Sequence, residues 1–252
     1  MKILAITQAR VGSSRFPEKI LKEVHGETLL EIHIKRILRS KNITQLKIAT
    51  TNEPDAFKIV NLAKKLGIES YKGSLNNVLE RFYFCAKSEN PDYVVRLTSD
   101  CPLIDACVID LVIDIILSDN TLDYISNTLN PTYPDGMDVE VFKFSALEKA
   151  YNEASDNLDK EHVTPYIWRN SSMKGGSLFH SFSYENDQDY SKMRMTVDEP
   201  EDYIVIESLI NSLGLDKSWQ EYTNFLITNN EIQQLNQRFK RNEGYYKNQK
   251  KT

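Results

Sequence analysis

Three cations crowd one short loop near the N-terminus. Arg10, Arg15 and Lys19 fall within "TQARVGSSRFPEK", residues 7–19, beside Gly12, Ser13 and Ser14. A connector needs only glycine, proline and small polar residues; this composition asks for an anion. Two carboxylates sit far along the chain where apolar runs end: Asp100 in "VVRLTSDCPLID" and Asp198 in "MRMTVDEPEDY". A nucleoside triphosphate with Mg²⁺ satisfies both signs. Lys and Arg neutralise phosphate oxygens, Arg in bidentate fashion. Mg²⁺ is held by one or two carboxylates together with phosphate oxygens and waters. Gly12 lets backbone N–H groups approach the phosphates closely. Taken singly, each piece has a plainer reading, a solvated loop for the cations and helix capping for the aspartates.

What would bring them together is a parallel sheet. Residues 3–6, 46–51, 68–73 and 92–100 read as strands, the first a short, continuous apolar run of the kind buried on both faces. Helical spacing occupies 27–40, 53–67, 74–90 (capped by Asn76 or Asn77) and 105–119 between and after them. Four alternations predict an α/β fold with a mostly parallel sheet. Such sheets bind ligands at the carboxyl ends of their strands, where the cationic loop and Asp100 both fall. Further strands are expected over 124–128, 137–144, 178–185 and 192–197, with helices over 145–156, 159–170 and 200–214. Asp198 then ends the last strand or caps the helix after it.

Beyond Gly214, Trp219, Tyr222, Phe225, Leu226 and Ile227 predict an amphipathic helix packed on the domain or across a dimer. A basic tail follows. No repeat or long linker interrupts the chain, so one domain over 1–252 is expected, with a helical extension from about 215.

Composition narrows the class. A formal net charge of −5 argues against a general nucleic-acid binder and leaves any anion site local. Cys85, Cys101 and Cys107 form no CxxC pair, which points away from a disulfide framework or zinc knuckle and towards a reducing, cytoplasmic setting. No stretch approaches the ~20 apolar residues of a membrane span. The opening loop lacks the Lys-Ser/Thr ending of a P-loop, and no GxGxxG follows the first strand. Of the four histidines, only His162 lies near other candidate residues, and a lone helical His is more often a structural partner.

"QARVGSSRFPEK", "VRLTSDCPLID", "YPDGMDVEVF", "EHVTPYI" and "RMTVDEPEDY", in this order, resemble the cytidylyltransferase superfamily that makes CMP-activated acidic sugars. CMP-Kdo and CMP-sialate synthetases belong to it. The nearest resemblance is to the branch named after spore coat polysaccharide biosynthesis protein F, over about residues 1–214. It implies a three-layer α/β/α, glycosyltransferase-A-like nucleotidyltransferase fold, and CMP transfer from CTP to an acidic sugar with release of pyrophosphate. By resemblance, Arg10 and Lys19 bind the triphosphate, Ser13, Ser14, Arg15 and Thr98 line its site, and Gln8 and Ala9 lie against the base. Asp100 and Asp198 hold Mg²⁺, and a homodimer is implied. Asp135, Asp138, Glu140 and His162 are the acceptor candidates, although Asp138 or Glu140 also fit ordinary edge-strand polar residues. "YPDGMDVEVF" departs from the usual sugar-binding spacing, which leaves the acceptor open. Two other readings stay in play: a glycosyltransferase of the same fold, disfavoured because "TSDCPLID" lacks a D-x-D, and a non-catalytic nucleotide-binding module.

Overall fold

In the computed structural model, which describes residues 1–243 and 245, the alternation begins as expected. The chain runs β1 (Ile3–Gln8), β2 (Glu23–Val24), β3 (Glu27–Thr28), α1 (Leu29–Ile37), β4 (Gln45–Thr51), α2 (Phe57–Lys65), β5 (Glu69–Gly73), α3 (Val78–Lys87), β6 (Tyr93–Thr98) and α4 (Ala106–Ser118). Asn77 is the N-cap of α3, its side chain accepting from Glu80 N. Asp105 caps α4, so Asp100 is not a helix cap. The second half adds β7 (Tyr124–Ser126), β8 (Glu140–Lys143), α5 (Phe144–Glu153), α6 (Asn157–His162), α7 (Pro165–Arg169), β9 (Ser181–Ser183), α8 (Pro200–Leu213), α9 (Trp219–Thr228) and α10 (Asn230–Gln234).

Seven strands form one sheet in the order β5-β4-β1-β6-β8-β7-β9. β5, β4, β1 and β6 are parallel, β8 is antiparallel to both neighbours, and β9 runs parallel to β7. Alternation along each strand divides the core in two. Ile3 and Ala5 of β1, with Val95 and Leu97 of β6, face a layer holding α1, α2, α4, α8 and α9. Leu4, Ile6, Val94 and Phe142 face α3, α5 and α7. The three-layer α/β/α expectation is met. On the second face the period of two continues past the apolar residues to Gln8, Arg96, Thr98 and Glu140. Register sets Gln8 opposite Thr98, and Arg96 opposite Glu140. One sheet face is therefore oily in its body and polar at its rim.

Two expected elements differ. Residues 192–197 form no strand: Asp135 N donates to Met193 O, Met195 N to Asp135 O, and Val197 N to Asp100 O. The segment divides its bonds between two loops and builds a ladder with neither. Residues 159–170 form two helices because Pro165 has no N–H to continue the α6 ladder and instead starts α7. In the C-terminal region, Trp219, Tyr222 and Leu226 of α9 are buried against the domain, whereas Ile227 faces outward at 46% exposure. Of the expected basic tail, residues 244 and 246–252 lie outside the described residues.

Candidate active site

Lys19 is where the first and last motifs meet. Its Nζ donates to Asp198 Oδ1 at 2.7 Å and lies 3.4 Å from Asp100 Oδ2. Arg15 reaches the same carboxylate at 2.9 Å and Glu199 at 3.1 Å. Three sequence-distant segments thus converge at the end of β6. Asp100 is positioned by backbone: its carbonyl accepts from Val197 N at 2.7 Å and from Thr196 Oγ1 at 3.1 Å. Asp198 immediately precedes Glu199, the N-cap of α8, and its N–H donates to Asp202 Oδ2. Burial pushes the Asp100 carboxyl upward, but the Lys19 ammonium and the Thr98 hydroxyl outweigh it and hold the group at about 2. Lys19 is correspondingly raised: burial opposes its charge, and Asp100 and Asp198 more than restore it.

A cleft of about 400 Å³ opens beside these groups, lined among others by Gln8, Arg15, Thr98, Asp100, Thr196 and Asp198. Ser13 Oγ accepts from Phe16 N at 3.3 Å and shapes the loop, while Gly12 and Ser14 are exposed. Gly12 is in neither a strained nor a crowded position; an added Cβ would meet nothing nearer than Glu53 Oε1 at 3.9 Å. The structure separates two residues from this group. Ala9 is buried in the core, with its N–H on Ala49 O, so only its backbone is left to face a ligand. Arg10 is exposed and makes no ion pair among the described residues. Its charge acts on Arg81 of α3, whose guanidinium is pushed down to about 10 by burial and by Arg10. That makes a second local excess of positive charge at the loop.

The acceptor candidates also line the cleft, each carboxylate already matched to an arginine. Asp135 accepts from Arg194 Nη1 at 2.6 Å, Asp138 pairs with Arg241, and Glu140 with Arg96. The acidic wall is therefore an interlocked Asp/Glu–Arg lattice, with Arg194 shared between Asp135 and Asp202, and not a row of free carboxylates. Burial and the neighbouring Asp138 charge push Asp135 up to about 7 against the pull of Arg241 and Arg194. His162 lies at the end of α6 and lines the same cleft.

Several supporting residues escaped the sequence reading. Arg194 bridges Asp135 and the fully buried Asp202, donating to Asp202 from Nε at 2.8 Å and Nη2 at 2.9 Å. Asp202 also accepts from Asn236 Nδ2, which lies beyond α10. Its signal was present in "DEPED", where Glu199 and Asp202 form a capping box at α8. His33 is buried beneath Asp100, bonded to Thr7 Oγ1 and Cys101 O at 2.8 Å each, and burial pushes it down to about 4. Arg241 carries no sequence signal; only the return of the chain places it here.

Could the pair Asp100 and Asp198 hold Mg²⁺? One ammonium already sits within reach of both carboxylates, so the gap accepts a cation. No group of three or more His, Cys, Asp or Glu suited to a metal occurs among the described residues. This donor set fits a metal that draws its remaining ligands from phosphate and water.

A cationic loop and two converging carboxylates at the carboxyl ends of parallel strands are the arrangement expected of the α/β class that binds anionic ligands at that rim. The chain belongs to the cytidylyltransferase family, whose model matches residues 4–251. It is 36% identical to the uncharacterised protein MJ1063 of Methanocaldococcus jannaschii, across 94% of this chain and 95% of that one. It is 28% identical to the spore coat polysaccharide biosynthesis protein SpsF of Bacillus subtilis, across 84% and 88%. A solved cytidylyltransferase from Leptospira borgpetersenii superposes with a TM-score of 0.87 at 35% identity, covering 93% of this chain and 97% of that one. No helix among the described residues is long and apolar enough to cross a membrane.

Proposed function

We propose that this chain transfers CMP from CTP to an acidic sugar of the ulosonic or nonulosonic type, releasing pyrophosphate, with Mg²⁺ held by Asp100 and Asp198. The observation that carries it is Lys19 set between those two carboxylates, with Arg15 on Asp198. Without ligand, cations and carboxylates neutralise each other. A triphosphate draws Lys19 and Arg15 onto its oxygens and frees the carboxylates for the metal. Held by Asp100 and Asp198, a bound metal would supply neutralisation of phosphate charge. The chain's own residues supply the rest. Lys19, Arg15 and the Arg10–Arg81 corner stabilise the leaving pyrophosphate, and the rim of the sheet positions the acceptor oxygen for in-line attack. Gln8 Oε1 is buried at the exit of β1 with no partner among the described residues. It accepts from a cytosine amino group and rejects the uracil carbonyl, which favours CTP.

Thermal shifts with CTP, UTP, ATP and GTP, each with and without Mg²⁺, test this reading. A ligand at 100 times its Kd adds ~2.7 kcal/mol. A Mg²⁺-dependent shift largest with CTP is expected. A nucleotide other than CTP giving the largest shift changes the product, no shift with any overturns the nucleotide reading, and a shift without pyrophosphate release from any acceptor leaves a non-catalytic nucleotide-binding module. The homodimer expected from the resemblance is decided by light scattering on the same sample.

A further inference from the structure

Away from the cationic loop, the cleft holds two more buried polar atoms with no hydrogen-bond partner among the described residues: Arg96 Nε and His162 Nε2. A buried polar atom left unpaired is costly, and native structures keep few of them. Two such atoms lining one cleft mark a place that something else completes.

The two side chains are held by different means. Arg96 is anchored through its Nη1 by Glu140, whose second oxygen accepts from Tyr124 Oη at 2.7 Å. Both Glu140 oxygens are thereby engaged, so Glu140 orients Arg96, and the Nε–H is left over. His162 is held by backbone strain. Val163, the next residue, adopts φ 71° and ψ −57°, and Thr164 N donates back to His162 O at 2.8 Å. This is the rare form of the three-residue γ-turn, in a β-branched residue that is fully buried. Such conformations are strained and persist where the surroundings over-determine them, often at ligand sites. Here the turn ends α6 at the imidazole and hands the chain to Pro165. The Tyr245 ring packs edge-on against the same imidazole at 5.2 Å.

We propose that Arg96 Nε and His162 Nε2 form a two-point subsite for the carboxylate of the acceptor. The proposal rests on the acidic-sugar reading above and deepens it. A carboxylate has two oxygens for two N–H groups. Because Glu140 already balances the Arg96 charge, the subsite offers donors without excess charge, which suits a monoanion better than a phosphate dianion. Burial and the Arg96 charge both lower the His162 pKa, so the imidazole is neutral at pH 7, with its Nε2 tautomer chosen by the ligand.

The test uses the full chain labelled with ¹⁵N-histidine. It is titrated with pyruvate, the 2-keto acid fragment shared by ulosonic acids, and with methyl pyruvate as the neutral counterpart, each with and without Mg²⁺-CTP. A saturable shift of the His162 ring signal with pyruvate alone is expected. Arg96→Lys keeps a positive charge beside Glu140 but removes Nε–H, and it should weaken pyruvate about tenfold, the size of one charge-assisted hydrogen bond. If that variant melts early, His162→Phe, which keeps a ring but removes the Nε2–H, makes the same comparison when read by saturation transfer to the pyruvate methyl. An equal response to methyl pyruvate, an unchanged response in the variant that folds, or no response with CTP bound overturns the subsite. Failure of CTP to bind while pyruvate still shifts His162 overturns the nucleotide reading and leaves the subsite standing.

Discussion

At the scale of single residues, the same three loop cations divide their work. Lys19 lies between the two carboxylates, Arg15 closes over Asp198, and Arg10 is exposed and adds its charge near Arg81 of α3. Lys19→Ala is expected to raise the KM for CTP and also lower kcat, since its contacts strengthen as charge builds on the leaving group. Steady-state pyrophosphate release measures both; an unchanged kcat/KM takes Lys19 out of the site. Asp100→Asn keeps the volume and removes a carboxylate that should hold the metal. Loss of several kcal/mol of transition-state stabilisation corresponds to a fall of about 10²–10³ in turnover. The fold survives, as circular dichroism will show. Asp100 also makes stability pH-dependent. Its folded pKa of about 2 is below the ordinary 3.8, so its contribution is complete above pH 3.8 and disappears as the pH falls towards 2. Urea unfolding across that window should show a steeper acid loss in the wild type than in Asp100→Asn.

At the scale of elements, the loop "YPDGMDV" shows which glycines matter. Gly136 has φ +111°, and a Cβ there would lie 2.6 Å from the Met195 carbonyl carbon. Gly136→Ala therefore costs more than ~1 kcal/mol, read as a lower urea midpoint, because the Met195 backbone cannot give way. It also moves Asp135 and Asp138 away from Arg194 and Arg241. Gly12 makes the opposite case. Gly12→Ala should change stability by less than about 0.5 kcal/mol, since its surroundings are open. A raised KM for CTP in that stable variant would show that the loop backbone approaches the phosphates closely; an unchanged KM would show that it does not.

At the scale of the whole molecule, the C-terminal segment closes the site from the far end of the chain. Asn236 donates to Asp202 at 2.9 Å, and Arg241 donates to Tyr133 O at 3.0 Å and pairs with Asp138. The Phe239 ring packs under Arg194, its centroid 6.0 Å from the guanidinium carbon. Ending the chain after Leu235 removes all of these. Asp202 and Asp138 each lose a partner, at about 1–3 kcal/mol apiece, and the melting temperature falls by several degrees. Arg241→Gln separates the two effects: it should leave the Asn236–Asp202 bond intact and lower stability less than the truncation does.

Local signals were enough for β1, β4, β6, α3, α4 and α8, because apolar periodicity and caps are properties of neighbouring residues. They were also enough to single out the cationic loop, Asp100 and Asp198, whose residue types have little use together except around an anion and a cation. The division of 159–170 was written in Pro165, whose missing N–H acts locally, but the positive φ of Val163 was not. It is imposed by packing around it, in a residue whose own preference opposes it. Nor does sequence reveal that Asp135, Asp138 and Glu140 each face an arginine, since Arg194, Arg241 and Arg96 lie 59, 103 and 44 positions away. Pairing at such separations depends on which segments the sheet order β1-β6-β8 and the returning C-terminal segment bring to one rim. Residue chemistry belongs to the sequence; the partner each charge meets is decided only when the tertiary fold closes the distance.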